Sequence, residues 1–325
     1  MSAEQLAKTK VAVEEFRAGA GPKAQLALKD DDEHHLGTSY ISAMWYDMYL
    51  RNRDPAPLNL TPQLSWKEDE NPAKNEQAVR AADICHAAGR FYASLQAGVL
   101  VPDVFHTKPG VTKHAAFESL IAALPTSVSY YPAVAAGAYA LDMSQYERLF
   151  CSTRLPRAGK DELVTAEHCP YVVAIRGADM FKVSLFQDDD GDIDGTHLAI
   201  HSPEAIEAQI RAVLASKPSG NPPVAALTET ERDAWAATRA HMESDPVNRV
   251  SLADVDRALF VLSLDDETPA THEELSRSML HGYARDRWFD KSFNIIVTKN
   301  GEPPAAQPAR PPRSRLPTQP PSSRP

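Results

Sequence analysis

The acidic stretch DDDGDIDG, residues 188–195, holds the most obvious candidate ligands for a metal ion. Counted from Asp190, the series Asp190, Asp192, Asp194 and Gly195 matches the first half of an EF-hand calcium loop. The twelfth position, where a bidentate Glu should close the site, is His201, and a strand precedes the stretch instead of a helix. We therefore interpret these residues as a solvated turn.

A second candidate is His241, which has a carboxylate four residues later in the stretch HMESD. The H-x-x-x-D spacing is found in some acyl-CoA-dependent acyltransferases, where the His takes a proton from an acceptor hydroxyl. Here His241 lies at the end of a polar helix, and Pro246 follows directly after Asp245. We interpret this match as coincidental.

The remaining histidines show no metal-ligand spacing. His34 and His35 lie in a charged loop, and adjacent residues on a helix could not both face one ion. His197 and His201 could form half a metal site, but no cysteine or carboxylate partner is apparent. The sequence has no G-x-S-x-G, H-E-x-x-H, P-loop or G-x-G-x-x-G motif, so local patterns alone give no active site.

Composition excludes several classes of protein. The 325 residues are 43% hydrophobic, enough for one large domain or two ordinary ones. The net charge is −10, and about −14 before the four arginines of residues 303–325, so nucleic-acid binding is not indicated. Cys85, Cys151 and Cys169 are odd in number and widely spaced, which predicts free thiols in a reducing compartment.

Targeting signals are not apparent in the sequence. No apolar run reaches the roughly 20 residues of a membrane span. The first residues, MSAEQLAKTKVAVEEF, carry acids early and lack the apolar core of a signal peptide or the acid-poor character of a transit peptide. We expect them to form a helix with a capping box between Ser2 and Gln5.

Apolar periodicity predicts the elements that must position any site. We expect helices over residues 2–18, 73–97, 114–124, 142–151, 203–214, 228–242 and 271–282, the sixth capped by TETE. We expect strands at 171–177, 180–187, 258–264 and 292–298, the first two forming a hairpin. Helices mixed with strands that cluster in the second half predict an α/β or α+β sandwich.

The last 23 residues differ in character from the rest. Asn300-Gly301 predicts a hairpin whose second strand should begin at about Glu302. Nine of residues 303–325 are proline, which cannot donate to a strand ladder, so we expect a disordered or polyproline II tail instead. The stretch PARPPR could be a ligand for a proline-recognising partner, although a solvated extension is the simpler interpretation.

Several longer segments together resemble the carnitine/choline O-acyltransferase family. They are TSYISAMWYDMYLRNRDPAPLNL (38–60), LQAGVLVPDVFH (95–106), YALDMSQYERLFCSTRLPRAGKDEL (139–163), VDRALFVLSLDD (255–266) and MLHGYARDRWFDKSFNIIVTKNGE (279–302). The segments occur in the family's order and at its spacing, over about residues 10–302. A collinear match of this length is more specific than any of the short motifs.

The resemblance implies an α/β fold like that of chloramphenicol acetyltransferase, with a mixed sheet and flanking helices. This chain would contribute the N-terminal half only, as residues 1–302, followed by the tail at 303–325. The implied reaction moves a fatty acyl group between coenzyme A and carnitine, with palmitoyl-type members the most similar. No tightly bound cofactor and no metal are implied, and acyl-CoA and carnitine are the expected small-molecule partners.

The family's catalytic His, which acts as general base, lies on the strand that returns after WFDKSFN. That strand is expected beyond Glu302, where this sequence diverges, so no catalytic residue is assigned and the chain is expected to be inactive alone. Tyr49 resembles a tyrosine of the carnitine pocket, and Trp45, one turn earlier, could wall the same pocket. Alternatively, both are buried aromatic residues of the core.

Two hypotheses account for the whole chain. It is either the N-terminal part of a carnitine O-acyltransferase or a non-catalytic module that binds acyl-carnitine, a full-length relative, or a partner through its tail. The resemblance implies a mitochondrial location on the matrix side of the inner membrane, with peripheral membrane association in full-length members. The N-terminus leaves a cytoplasmic location open.

Overall fold

The computed structural model describes residues 2–35, 38–55, 64–187, 198–280, 282, 285–300 and 305–308, giving only the backbone at 126, 127 and 305–308. Residue 280 is likewise described by its backbone only. The chain has a mixed α/β structure, as predicted. The α-helices of these residues are α1 (Ala3–Ala18), α2 (Ala20–His34), α3 (Ile41–Arg51), α4 (Gln77–Gln96), α5 (Pro109–Thr112), α6 (Ala115–Ala122), α7 (Thr126–Ala136), α8 (Pro203–Ala215), α9 (Arg232–Met242), α10 (Pro246–Arg257) and α11 (His272–Leu280).

The strands of the described residues form three sheets. They are β1 (Leu64–Ser65), β2 (Val104–His106), β3 (Ala138–Ala140), β4 (Ser152–Leu155), β5 (Glu162–Thr165), β6 (Tyr171–Arg176), β7 (Asp179–Ser184), β8 (Val261–Leu264), β9 (Phe293–Val297) and β10 (Ala305–Pro308). None of the helices in the part of the chain described above is long and apolar enough to cross a membrane.

The chain divides into two compact units, and the smaller one comprises Met1–Asp47, Pro102–Ser144 and Pro312–Pro325. Its β2 and β3 form an antiparallel pair, with α5, α6 and α7 between them in the sequence. Gly137, at φ +93°, ends α7, and its carbonyl accepts from the Thr107 backbone N–H at 2.8 Å and the Thr107 hydroxyl at 3.0 Å. This glycine therefore fixes the start of β3 against the end of β2.

The larger unit comprises Met48–Val101 and Gln145–Pro311 and is built on a six-stranded sheet. The strand order is β1-β10-β9-β8-β6-β7, with β6, β8 and β9 parallel and the outer pairs antiparallel. Every residue of β8 and β9 is buried, which matches their nearly continuous apolar sequences. A separate antiparallel pair, β4–β5, also belongs to this unit.

Helices cover both faces of the larger sheet, and alternate side chains of β6 pack against the helices on opposite faces. Val172 and Ala174 belong to a core cluster with residues of α4 and α8, including Ala82 and Ile210. Val173 and Ile175 point to the opposite face, into a second cluster with residues of α9 and α10, including Trp235. Because successive side chains of β6 point to opposite faces of the sheet, this apolar strand contributes to both core clusters.

Several local predictions are confirmed. The Ser2–Gln5 capping box is present at the start of α1, with hydrogen bonds of 3.2 Å and 2.8 Å. The hairpin around Gly177 joins β6 to β7, and β8 and β9 lie within the predicted strands. Cys85, Cys151 and Cys169 are free and buried thiols.

Three parts of the first half of the chain differ from the predicted secondary structure. The charged stretch up to His34, predicted to be a loop, is the second half of α2. Pro22 is compatible with this helix because it falls in the first turn, where its missing N–H removes no hydrogen bond. The Pro/Tyr-rich residues between the helices predicted at 114–124 and 142–151, for which no element was predicted, form α7, with Pro132 inside it. The helix predicted over 142–151 is only a short 3-10 helix, Ser144–Arg148.

Two corrections concern the second half. The predicted cap TETE does not start α9: the Thr228 hydroxyl donates to the carbonyl of Ala225 at 2.7 Å, and Glu231 is the N-cap. Residues 246–257, for which no element was predicted, form α10, which starts with Pro246 directly after its N-cap Asp245.

The tail also differs from expectation at Ala305–Pro308, which forms β10 instead of an unpaired segment. It runs antiparallel to β9, with Ala305 opposite Ile296 and Pro308 opposite Phe293, as the Asn300-Gly301 hairpin signal predicts. The other side of β10 pairs with β1 only at Ala305 and Ala306. Proline is tolerated here because Pro308 stands at the strand's end, beyond the residues paired with β1. Residues 309–325 lie outside the described part of the chain.

Candidate functional site

Tyr49 and Trp45, the two candidate pocket residues, both lie in α3, four positions and therefore about one helical turn apart. Both side chains are half-buried, and α3 contains no buried residue. They therefore differ from enclosed core aromatics such as Trp235 and Trp288. A half-buried aromatic side chain retains an accessible face that can contact a ligand.

The end of α3 that carries Tyr49 is tied to the rest of the larger unit through backbone carbonyls. The Leu50 carbonyl accepts from the Asp161 backbone N–H at 2.9 Å. The Asn52 carbonyl accepts from the Arg154 guanidinium at 2.9 Å, and the Arg53 carbonyl accepts from the Arg232 backbone N–H at 2.9 Å. Three attachments just beyond Tyr49 fix where this helix ends.

The same region contains a buried ionic cluster centred on Asp161, whose side chain is fully enclosed. Its two carboxylate oxygens accept from Arg53 Nη1 at 2.9 Å, Arg154 Nε at 2.6 Å and Arg232 Nε at 2.7 Å. The backbone N–H of Arg157 adds a further bond at 3.1 Å. Paired and hydrogen-bonded charges escape most of the penalty of desolvation, so these donors offset much of the cost of burying the carboxylate.

Arg232 extends this cluster to a second buried carboxylate, Asp290. Its Nη1 donates to Asp290 Oδ1 at 2.6 Å, while Trp235 Nε1 donates to Asp290 Oδ2 at 2.7 Å. Desolvation lowers the pKa of Arg232, but the Asp290 and Asp161 carboxylates outweigh it and hold that pKa above its ordinary value. Burial raises the pKa of the Asp290 carboxyl, against the opposing effect of the Arg232 guanidinium. By its contacts, the cluster is an ionic support that joins the end of α3 to α9 and to the turn before β9.

The only buried lysine of the described residues, Lys291, follows Asp290 directly. Its ammonium group donates to the Asp256 backbone carbonyl. Burial lowers the pKa of Lys291 to about 8, with smaller opposing effects from Cys151 and Asp256. This group changes charge closer to neutrality than an exposed lysine does, but it lies in the core, away from solvent.

The structure does not assemble the H-x-x-x-D pair into a site. His241 is exposed at the end of α9, and Asp245 is the N-cap of α10, accepting from the backbone N–H groups of Val247 at 2.8 Å and Asn248 at 3.1 Å. The spacing that resembles a catalytic motif is therefore explained by the turn between two helices.

Those candidate metal ligands that the structure describes do not come together either. His34 and His35 are exposed at the end of α2, where their Nδ1 atoms lie 2.7 Å and 2.9 Å from the carbonyls of Asp30 and Asp31. The acidic stretch 188–195 and His197 lie outside the described residues, and His201 is half-buried. In the described ranges, no group of three His, Cys, Asp or Glu side chains could hold a metal ion.

Sequence reasoning missed the ionic cluster that supports α3. Its members come from segments far apart in the chain, with 71 residues separating Asp161 from Arg232 and 58 separating Arg232 from Asp290. The one available signal was the presence of Asp161 and Asp290 within the two family-like segments 139–163 and 279–302.

Comparison with known proteins gives a family match over nearly the whole described chain. A family model of choline/carnitine O-acyltransferases matches residues 1–303. The chain is 40% identical over 298 residues to "Carnitine O-palmitoyltransferase 2, mitochondrial" of Homo sapiens and of Rattus norvegicus, covering 91% of this chain and 44% of each relative. It is 27% identical over 314 residues to the liver isoform of carnitine O-palmitoyltransferase 1 of Homo sapiens, covering 93% of this chain and 35% of that one. The chain thus spans less than half the length of these relatives.

Proposed function

The chain belongs to the choline/carnitine O-acyltransferase family, and we propose that it serves the transfer of a fatty acyl group between coenzyme A and carnitine. The observation that carries this proposal is the 40% identity over 298 residues to two carnitine O-palmitoyltransferases 2. A palmitoyl-type substrate follows from the names of these relatives. Long-chain acyl-CoA and carnitine are then substrates, and no tightly bound cofactor is required.

We also propose that the larger unit is one half of a chloramphenicol-acetyltransferase-like fold. Its mixed sheet with helices on both faces supports this assignment, as does the order of the family-like segments. In such a fold the substrates meet in a tunnel between two halves, so the residues described here would form one wall of the reaction site.

In this proposal Tyr49 and Trp45 face the carnitine. The trimethylammonium group of carnitine is a cation without N–H donors, and aromatic faces bind such cations well. The phenolic hydroxyl of Tyr49 can in addition donate to a carnitine oxygen. The role of the Asp161–Arg232–Asp290 cluster is to hold the end of α3, and with it Tyr49, in a fixed position.

The reaction itself needs a general base, which the candidate residues Tyr49 and Trp45 do not supply. In the forward direction the carnitine hydroxyl oxygen bonds to the thioester carbonyl carbon, the carbon–sulfur bond breaks, and the hydroxyl proton must pass to a base. By resemblance this base is a His on the strand after WFDKSFN. Residues 303–325 contain no histidine, so we propose that the 325-residue chain does not turn over by itself.

Reconstitution tests this proposal. The purified chain should release no coenzyme A from palmitoyl-CoA in the presence of carnitine, although it should be folded and monodisperse. Co-expressed with the C-terminal half of human carnitine O-palmitoyltransferase 2, it should form a complex that does. Turnover by the chain alone would show that it contains its own base, and an inactive but well-folded complex would refute the assigned function.

A second candidate function is a non-catalytic module that binds a full-length relative. The smaller unit exposes large apolar side chains on α6 and α7, with Leu120 63% and Tyr131 69% exposed. Apolar side chains that are grouped on a surface are typical of interaction sites. Gel filtration of the chain mixed with human carnitine O-palmitoyltransferase 2 tests this function, and Tyr131→Ser should weaken any complex.

We propose a mitochondrial location, on the matrix side of the inner membrane, because the names of the most similar relatives include the word mitochondrial. A cytoplasmic location is the alternative. Fractionation of cells that express the tagged chain, followed by protease protection with and without rupture of the outer membrane, distinguishes the two.

A further inference from the structure

Strand β7 forms one edge of the six-stranded sheet, and among the described strands it pairs with β6 only. Arg176 and Asp179 are partners across the two-residue turn of this hairpin, so they exchange hydrogen bonds, and so does every second pair after them. The residues between these pairs direct their backbone N–H and C=O groups away from β6, toward the outside of the sheet. In β7 they are Met180, Lys182 and Ser184.

The outward groups of Ser184 already have a partner, the side-chain carboxamide of Gln209 in α8. The Ser184 N–H donates to Gln209 Oε1 at 2.8 Å, and the Ser184 carbonyl accepts from Gln209 Nε2 at 3.0 Å. A residue of a neighbouring antiparallel strand would make the same two bonds, so this edge of β7 accommodates an amide group. The outward backbone groups of Met180 and Lys182 have no such partner in the described part of the chain.

A cavity of about 450 Å³ lies beside this unpaired part of the edge. It is lined by Met180 and Phe181, whose side chains pack against opposite faces of the sheet. A cavity that contacts both side chains lies at the margin of the sheet, not over one of its faces. Its other walls come from the segment after α8 and from α10, where Leu252 is buried and Asn248 is exposed to solvent. The cavity therefore combines an apolar wall with an opening to solvent.

The charges around this edge do not favour a charged ligand. Asp179 and Lys217 line the cavity with opposite charges. A lysine at a sheet edge can keep other strands away, but the Lys182 side chain turns onto the sheet face, where its Nζ lies 2.7 Å from Asp254 Oδ2 and 4.8 Å from the centre of the Tyr171 ring. What remains along the edge are the partial charges of N–H and C=O groups, which the backbone of an extended peptide complements.

We propose that β7 binds an extended peptide as an added antiparallel strand. The peptide backbone exchanges hydrogen bonds with Met180 and Lys182, and the pairing ends where Gln209 occupies the edge. An apolar side chain of the peptide enters the cavity, so that the backbone supplies affinity and the cavity supplies specificity. The site is independent of the proposed acyl transfer, because the lining of the cavity includes no residue of α3.

Fluorescence anisotropy with the peptide acetyl-Lys-Thr-Val-Leu-Val-Thr-Lys-amide, labelled with fluorescein on its last lysine, tests this site. The β-branched residues favour an extended peptide, and the lysines keep it soluble. We expect saturable binding with one peptide per chain. The same peptide with N-methyl groups on its three central amides loses donors on both of its edges and should bind at least tenfold more weakly. Equal binding of the two peptides, or no saturable binding by the folded chain, overturns the proposal.

A proline in β7 tests the pairing from the side of the protein. Lys182→Pro removes an outward N–H and keeps the bonds to β6, because proline is tolerated at such a position of an edge strand. It should weaken peptide binding at least tenfold, whereas Lys182→Val, which loses the same ammonium group but keeps the N–H, should weaken it far less. A folded proline variant that binds the peptide as tightly as the unaltered chain contradicts the proposal.

Hydrogen exchange followed by NMR locates the peptide on the unaltered chain. The amides of Met180 and Lys182 should exchange at least tenfold more slowly when the peptide is bound, while those of Phe181 and Val183, already bonded to β6, should not change. Unchanged exchange at Met180 and Lys182 in the presence of saturating peptide overturns the proposal. Should circular dichroism show that Lys182→Pro is unfolded, this measurement and the N-methylated peptide decide the outcome, because both use the unaltered chain.

Discussion

Arg232 and Asp290 form a fully buried ion pair, with 2.6 Å between Arg232 Nη1 and Asp290 Oδ1. Arg232 is the first residue of α9, and Asp290 lies in the turn before β9. Through Arg232 Nε the pair continues to Asp161, next to β5. Segments that are distant in sequence are thus fixed to one another by charge, and the same cluster contacts Arg53, just after the helix that carries Tyr49.

Breaking this pair should destabilise the fold strongly. Asp290→Asn leaves the Arg232 guanidinium buried with one carboxylate fewer, and we expect the free energy of unfolding to fall by about 3–5 kcal/mol. Urea denaturation measures this change. Glu273→Gln, which removes the exposed pair with Arg277, is the matched control and should cost no more than about 0.5 kcal/mol. Equal effects of the two substitutions would contradict the structural role of the buried pair.

Lys291 should make stability depend on pH in the alkaline range. Its pKa is about 8 in the folded chain, below the ordinary 10.5, so between these pH values the unfolded chain binds a proton that the folded chain has released. Stability therefore rises with pH in this window, by up to about 3 kcal/mol from this group. Lys291→Met should remove the contribution.

The measurement is the difference in unfolding free energy between the unaltered chain and Lys291→Met at pH 7, 8, 9 and 10. The variant should be the more stable protein at pH 7, and the difference should shrink as the pH rises. The substitution Lys113→Met controls for the loss of a lysine at the surface. A difference that stays constant across the range would show that Lys291 keeps its proton.

Substitution of Tyr49 should affect the binding of carnitine more than it affects the stability of the fold. In the reconstituted complex, Tyr49→Phe removes one hydroxyl and should raise the KM for carnitine about tenfold, as expected for a hydrogen bond to a charged ligand. Trp45→Leu should act in the same direction by removing an aromatic face. Steady-state kinetics with varied carnitine gives both values. Tyr46→Phe, on the same helix, is the control, and a similar effect there would point to a general disturbance of α3.

His241 should be dispensable. Because its side chain is exposed, His241→Ala should change stability by less than about 0.5 kcal/mol and leave carnitine-dependent release of coenzyme A by the complex unchanged. Asp245→Ala should instead cost about 1 kcal/mol, since it removes the N-cap of α10. A folded His241→Ala variant without turnover would identify this histidine as the base.

The sequence predicted local features best where one residue type determines the backbone. The β6–β7 hairpin follows from two apolar runs around Gly177, whose φ is +60°. The start of α9 was predicted wrongly because the Thr228 hydroxyl, a good helix cap by its type, is used elsewhere: it accepts from the Phe289 backbone N–H at 3.1 Å. That contact joins residues 61 positions apart, which no local pattern reveals.

The candidate site was predictable only in part, because some of its contacts join residues that are far apart in the sequence. The similarity of WYDMYL to a family segment led to Tyr49, and α3 is a helix as the one-turn spacing from Trp45 required. The cluster around Asp161 depends on which distant arginines meet one carboxylate in the folded chain.

The position of β10 has a consequence for association between chains. The backbone of β10 covers the edge of β9, whose sequence FNIIV is apolar and free of charge. A chain shortened to residue 300 would leave that edge with unpaired N–H and C=O groups, and exposed apolar edge strands of this kind pair with copies of themselves. A few residues of a proline-rich segment thus protect this edge of the sheet against aggregation.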